Sequence, residues 1–466
     1  MRLRSLLNQP AGALATAAVA VYLLVVVGAT ASLAEAAQAC STWPACSGAT
    51  TDPAVAIAVS HRLLAVLAGI TVLGAVVVVF QKEAPRRVKA TAITALVLYP
   101  AQIGFGALLA TTAGSPPVPG LHLTAGLAIF GVLVVSLAWQ LEYETGGADE
   151  PLRTEDVEPV EPAAEEPVST PLAQQPFGAR LKARVSAYFR LMKPRLMWLL
   201  CLVAAAAMAL AAGSNLAVET ILFTLGGGVL AIGASGTFNH VLEWEKDRKM
   251  SRTNDRPLAT HQVPKRNAIV FGLALTALSI LAFLQLNPLT AALGLIAILF
   301  YSVVYTLILK PNTVQNTVIG GAAGSLPALI GWAAVTGRID IAGVVLAAVI
   351  FVWTPAHFYN LALAYKEDYA RGGFPMMPVV RGETTTRKHI LLWVGATLAA
   401  TTVLIWLSQL GWLAAVTTVS LGTVFIWATV RLHREQTEKA AFRAFHASNA
   451  YLGLLLIAVV VDALAF

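Results

Sequence analysis

Apolar residues in this chain do not recur at the three-to-four-residue interval of a surface helix; they run almost unbroken, and polar residues collect between the runs. A bilayer-crossing helix needs about 17–25 predominantly apolar residues. Runs of that kind fall at 12–34, 56–80, 90–112, 118–140, 196–213, 218–239, 266–285, 288–309, 314–335, 340–364, 390–408, 411–430 and 447–465. Each predicts a membrane helix, because a backbone in hydrocarbon must satisfy its own hydrogen bonds. The fold class expected is therefore an all-α polytopic membrane protein with about thirteen transmembrane helices. The first run follows MRLRS but is long and lacks a small-residue cleavage site, so it reads as a retained span.

The pattern breaks once. Over 142–176 hydrophobicity collapses into an acidic, Pro- and Ala-rich stretch that cannot bury enough apolar area to order itself. This predicts a four-helix membrane unit over 1–141, a disordered cytoplasmic linker over 142–177 and a nine-helix unit over 178–466.

Composition agrees: 57% of residues are hydrophobic and only 12% charged. The net charge of +7 raises the question of nucleic acid, but Lys and Arg sit in short inter-helix loops and no nucleic-acid module is present. The partner implied is a lipid bilayer. Placing Arg2 and Arg4 inside makes the basic or mixed loops 81–89, 240–265, 309–313, 365–389 and 431–446 all cytoplasmic and puts the C-terminus outside, as expected of a multi-pass cell-membrane protein. Cys40 and Cys46 then lie in the first external loop, where a disulfide is permitted, and Cys201 reads as a buried thiol.

The densest polar stretch is FNHVLEWEKDRKMSRTNDRPL, 238–258. If the preceding helix continues into it, Asn239, Glu243 and Asp247 stand at i, i+4 and i+8 on one face. Oxygen donors so spaced suit Mg2+, which binds through one or two carboxylates plus substrate phosphates. Arg248, Lys249, Arg252 and Arg256 can take remaining phosphate oxygens. Read from the residues alone, a diphosphate site and a solvated interfacial loop both remain open. A second cluster, Lys366, Glu367, Asp368, Arg371 and Arg381, faces the same side, and Lys310 lies between the two in sequence. The small residues from Gly320 to Gly324 suit close helix packing.

The segments LMKPR (191–195), NHVLEWEKDRKMSRTNDRPL (239–258), YTLILKPNTVQNTVIGG (305–321), FVWTPAHFYNLALAYKEDY (351–369) and GFPMMPVV (373–380) make residues 188–466 resemble the UbiA-type membrane prenyltransferases and, within them, the haem O synthases. The M-x-R-T-x-x-R-P continuation and WTPAHF point to haem; Glu243 stands where the family commonly has Asp. The resemblance implies a nine-helix bundle that binds farnesyl diphosphate through Mg2+ and uses haem B as acceptor. It implies Asn239, Glu243, Asp247 and Asp368 as catalytic residues, the first three of them metal ligands. Arg252, Arg256, Lys310, Lys366 and His357 become substrate contacts, His357 for haem. Glu245, two residues from Glu243, is expected to point away.

Residues 12–141 resemble one half of haem A synthase, a protein of two related four-helix halves. The resemblance implies that His61 and His122 ligate a haem iron, and that haem A synthase or a second copy of the chain is a partner. The active half of that family carries Glu three residues before its first ligand His; Ala58 stands there in this chain, so hydroxylation is not expected. Two rival readings are prenylation of a quinone or lipid headgroup and a non-catalytic haem carrier. The first is opposed by the two haem-specific strings, and the second leaves both charged clusters unexplained.

Overall fold

A computed structural model describes residues 9–33, 36, 39–40, 42–46, 51–112, 117–159 and 176–465. Arg2, Arg4 and 160–175 of the expected linker lie outside the described residues. The helices are α1 (Pro10–Leu33), α2 (Pro53–Gln81), α3 (Arg86–Thr111), α4 (Val118–Thr145), α5 (Phe177–Leu191), α6 (Pro194–Ala212), α7 (Val218–Asp247) and α8 (Lys265–Leu284). Next come α9 (Pro288–Asn312), α10 (Asn316–Thr336), α11 (Ile341–Ala364), α12 (Lys366–Arg371), α13 (Met377–Val380), α14 (Glu383–Leu407), α15 (Trp412–Glu435) and α16 (Glu438–Ala465). Among the described residues thirteen are long and apolar enough to cross a bilayer, namely all but α5, α12 and α13. The protein is a multi-pass, all-helical membrane protein.

Packing groups the chain into two compact units, residues 1–148 with 387–458 and residues 149–386 with 459–466. In the first unit the Tyr22 hydroxyl meets Thr418 Oγ1 at 2.8 Å, Thr418 meets the Tyr451 hydroxyl at 3.0 Å, and Tyr451 donates to Thr401 at 2.9 Å. All four residues are fully buried. This network ties α1 to α14, α15 and α16 where hydrocarbon offers no other partner for a hydroxyl. Glu142 pairs with Arg87 at 2.6 Å and with Lys388. Cys40 and Cys46 form a disulfide, and the Arg62 guanidinium donates to the carbonyls of Thr42, Pro44 and Ala45 within that loop at 3.2, 2.9 and 3.0 Å.

In the second unit α6, α8, α9 and α10 pack against α7, and α11 packs on α10. Between α6 and α10 the backbones touch: a Cβ at Gly331 would lie well inside van der Waals contact distance of the Ala204 carbonyl oxygen. A glycine is required here by close approach, as membrane helix interfaces generally favour. Helix α9 opens into wide π turns over Phe300–Leu309, a geometry frequent at functional sites. Helix α5 is amphipathic: Phe177, Leu181, Val185 and Phe189 form an exposed apolar stripe flanked by Lys182 and Arg184, a pattern that suits a helix lying in the membrane interface. Cys201, expected to be buried, is half-buried.

Part of the stretch expected to be disordered is ordered. Helix α4 runs on to Thr145, and residues 149–158 dock against the second unit, because Leu152 and Val157 find apolar cover there.

Replacing Gly331 by Ala pushes α6 off α10 through rigid backbone, so thermal unfolding in detergent is expected to shift down by several degrees, corresponding to about 1–3 kcal/mol. An unchanged midpoint would show that the two helices separate freely.

Candidate functional site

Helix α7 continues through Asp247, so Asn239, Glu243 and Asp247 do share one face. All three are buried, at 2%, 3% and 2% exposure, while Glu245 points to solvent. A buried carboxylate demands a cation, and each has one. Lys310, at the end of the π segment of α9, donates to both oxygens of Glu243 at 2.7 Å. Arg256 donates to both oxygens of Asp247 at 2.8 Å. Asn239 accepts from Lys193 and donates to Thr306 Oγ1 at 3.1 Å.

The second cluster closes onto the first. Asp368, on α12 and 3% exposed, accepts from the Ser251 N–H at 3.1 Å, the Ser251 hydroxyl at 2.6 Å and the Arg252 N–H at 3.0 Å, and pairs with Arg371. Arg252 also donates to the Tyr369 hydroxyl at 3.3 Å and lies 5.0 Å over the Tyr365 ring. Lys310 lies 4.3 Å over Phe374. The structure thus brings Asn239, Glu243, Asp247, Arg252, Arg256, Lys310 and Asp368 together. It does not bring Lys366 into this network; Lys366 pairs with Glu383 at 3.2 Å, at the start of α14.

Beneath the charged cluster lies an apolar cavity lined by Leu196, Leu200 and Cys201 of α6, Gly228, Ala231 and Ile232 of α7, Ala297 of α9, and Ala323, Pro327 and Ile330 of α10. Lys193 and Tyr301 stand at its polar end, 3.4 Å apart. Burial pushes the Lys193 amine down to about 7, helped by the charge of Arg256 and opposed by that of Glu243. The backbone at Lys193 is left-handed, φ 55°, turning the chain from α5 into α6 and aiming the amine inward.

Lys193, Tyr301, Thr306 and Ser251 are site residues that the sequence analysis did not assign. The Lys-Pro pair opening an apolar span was the available signal for Lys193. Tyr301 and Thr306 sit inside an apolar run, and only π geometry brings residues five apart to one side: Thr306 Oγ1 donates to the Tyr301 carbonyl at 2.8 Å.

His357 is buried in α11 and stacks on Trp353 with ring centroids 4.4 Å apart. In the first unit His61 of α2 and His122 of α4 converge, their ring centroids 6.3 Å apart. Their Nδ1 atoms are buried without hydrogen-bond partners. Gly28 and Gly106 make room for them, since a Cβ there would lie 2.9 Å from His61 Cε1 or 3.2 Å from His122 Cε1.

Comparison with known proteins agrees with the motifs. The model of the UbiA prenyltransferase family matches residues 199–455. A Haloarcula marismortui protein named protoheme IX farnesyltransferase is 62% identical over 457 residues, covering 97% of this chain and 98% of its own. Protoheme IX farnesyltransferase 1 of Natronomonas pharaonis is 62% identical over 454 residues, with 97% and 98% covered. A solved structure described as concerning digeranylgeranylglyceryl phosphate synthase in membranes superposes with a TM-score of 0.52 at 16% identity, covering 61% of this chain and 99% of that one, a likeness of fold. The chain belongs to the UbiA prenyltransferase family, alongside relatives named protoheme IX farnesyltransferase.

Proposed function

We propose that this chain transfers the farnesyl group of farnesyl diphosphate to a vinyl group of haem B, giving haem O and diphosphate in the route to the haems of terminal oxidases. The observation that carries the reading is the cluster of buried ion pairs seated on an apolar cavity. Lys310, Arg252, Arg256 and Arg371, with the Lys193 amine beside them, converge on the buried carboxylates of Glu243, Asp247 and Asp368, a set of donors that suits a polyanion. The cavity suits the isoprenoid tail. The names of the 62% identical relatives support the donor and acceptor.

Among the described residues no three His, Cys, Asp or Glu side chains gather as a ready metal site. Glu243 and Asp247 with the Asn239 amide nevertheless fit Mg2+, which completes its shell from water and phosphate. When bound, the ion would neutralise charge on the leaving diphosphate. The chain's own part is to hold and shield. Lys310 and Arg256 exchange their carboxylates for phosphate oxygens, and Lys193 sits where diphosphate meets prenyl chain. The C1–O bond of the donor breaks, and diphosphate leaves with the electron pair. C1 bonds to the terminal vinyl carbon, and the cation left on the inner vinyl carbon takes hydroxyl from water, whose proton passes to solvent. Apolar walls keep water from the first cation. His357 is assigned to the haem side of the site, and Lys366 to its rim.

The first unit is read as a haem-holding module. Two half-buried imidazoles with orphaned, buried Nδ1 atoms fit axial ligation of one iron. Haem A synthase or a second copy of the chain is the partner for exchanging haem with it. The N-terminus is assigned to the cytoplasm and the C-terminus to the outside.

Extracting haems from a host without its own haem O synthase, with and without this chain, tests the reaction directly; no haem O in the complemented host would refute it. Asp247→Asn is expected to abolish haem O while the protein still inserts, and full turnover would remove Asp247 from the metal set. Lys193→Met should raise KM for farnesyl diphosphate about tenfold to a hundredfold, as expected for losing one charge-assisted hydrogen bond, with Lys193→Arg recovering part of it. An unchanged KM would place Lys193 outside the diphosphate site. His61→Ala and His122→Ala should each strip the haem absorbance of the purified chain, and no haem A should form, because Ala58 supplies no carboxylate. Equal haem content in all three proteins would mean that the histidines only pack.

A further inference from the structure

Asp368 and Arg371 are carried on the segment 366–382, which leaves the bundle after α11 and returns at α14. Residues 149–158 lie along that segment and form three hydrogen bonds to it and two to the start of α14. The Asp149 carboxylate accepts the N–H groups of Thr384 and Thr385, both at 2.9 Å, at the start of α14. The Leu152 N–H donates to the Val379 carbonyl at 2.9 Å. The Thr154 hydroxyl donates to the Ala370 carbonyl at 2.9 Å. Arg371 Nε donates to the Glu158 carbonyl at 3.0 Å.

Apolar contacts run in parallel. Leu152 and Val157 pack on the buried cluster that includes Met250, Tyr369, Phe374 and Val379. Gly382 has φ +80°, and a Cβ there would collide with the Asp149 side chain, so this glycine serves the turn and the docked carboxylate at once. Burial pushes the Asp149 carboxyl up, but the Thr385 and Thr384 N–H groups more than reverse it and hold the group below its usual range.

Arg371 shows what the docking does. Its guanidinium spends one edge on Asp368 and Glu367 and its Nε on the Glu158 carbonyl, so its orientation is set from the 149–158 side. Asp368, so held, accepts from Ser251 and Arg252 directly after α7. A continuous path of polar contacts therefore leads from residues 149–158 into the charged cluster. Residues 149–158 themselves precede the stretch matched by the family model, 199–455, so the contact adds to the matched part of the chain.

We propose that residues 149–158 form a positioning strap for the prenyltransferase site, clamping 366–382 so that Arg371 and Asp368 meet the diphosphate. The strap acts through other residues and is not itself catalytic. The inference rests on the diphosphate reading of Asp368 and Arg371.

The test uses the full chain reconstituted in vesicles, with Leu152→Pro, which removes one backbone donor, and the milder Thr154→Val. Steady-state kinetics are paired with the affinity of a non-ionising farnesyl thiodiphosphate analogue. The double variant is expected to raise KM for farnesyl diphosphate and weaken the analogue roughly tenfold, the loss of about one good contact. KM for haem B should stay unchanged, and Thr154→Ser should behave as wild type. A fall in kcat alone, or an equal rise in both KM values, would overturn the strap and leave it a folding element. Asp368→Asn separates the two levels: if it weakens the analogue while Thr154→Val and the double variant do not, the strap is wrong and the site reading stands. If Asp368→Asn leaves the analogue's affinity intact, the diphosphate reading fails and the strap proposal falls with it.

Discussion

Burying a carboxylate at the edge of a hydrocarbon bundle is tolerable only when a cation is buried with it, and the charged end of the second unit is organised by that requirement. Glu243 and Asp247 project from one face of α7, so Lys310 must come from the end of α9 and Arg256 from the turns after α7. Those two pairs fix where α9 ends and how residues 248–258 fold back. They also hold the cationic groups in place in advance, which lowers the cost of ordering them for the proposed diphosphate. In the proposed reaction a phosphate oxygen would replace the carboxylate on either cation, and the released carboxylates would turn to Mg2+.

The apolar half of the site follows from small residues. Gly228, Ala231, Ala297 and Ala323 line the cavity alongside Leu196, Leu200 and Ile330, and bulkier residues at those four positions would fill it. Elsewhere in the same unit small residues do the opposite. Gly331 brings α6 against α10 until backbones touch. Small residues thus leave a void in one place and allow backbone contact in another. In the first unit the organising element is polar: the Tyr22, Thr418, Tyr451 and Thr401 hydroxyls satisfy one another inside α1, α14, α15 and α16.

Much of this was legible along the chain. Thirteen apolar runs mark thirteen spans, because hydrocarbon forces long helices and water-facing loops collect the charges. The i, i+4, i+8 spacing of Asn239, Glu243 and Asp247 is a local property of one helix, and the motif strings carried the family. What the sequence could not decide is everything that depends on which helices meet. Lys193 stands 46 residues from the Asn239 it contacts. Tyr301 and Thr306 look like ordinary members of an apolar run until the π turns set them on one side. Lys366 sits one residue from the second acidic pair, yet it turns to Glu383. Residues 149–158 have the composition of a linker, and only the apolar cluster and the backbone polar groups of 370–385 give them somewhere to bind. Helix periodicity and transfer from water act on neighbours in sequence and can be read there; pairing of buried charges and filling of space act between distant segments and are settled only when the chain is packed.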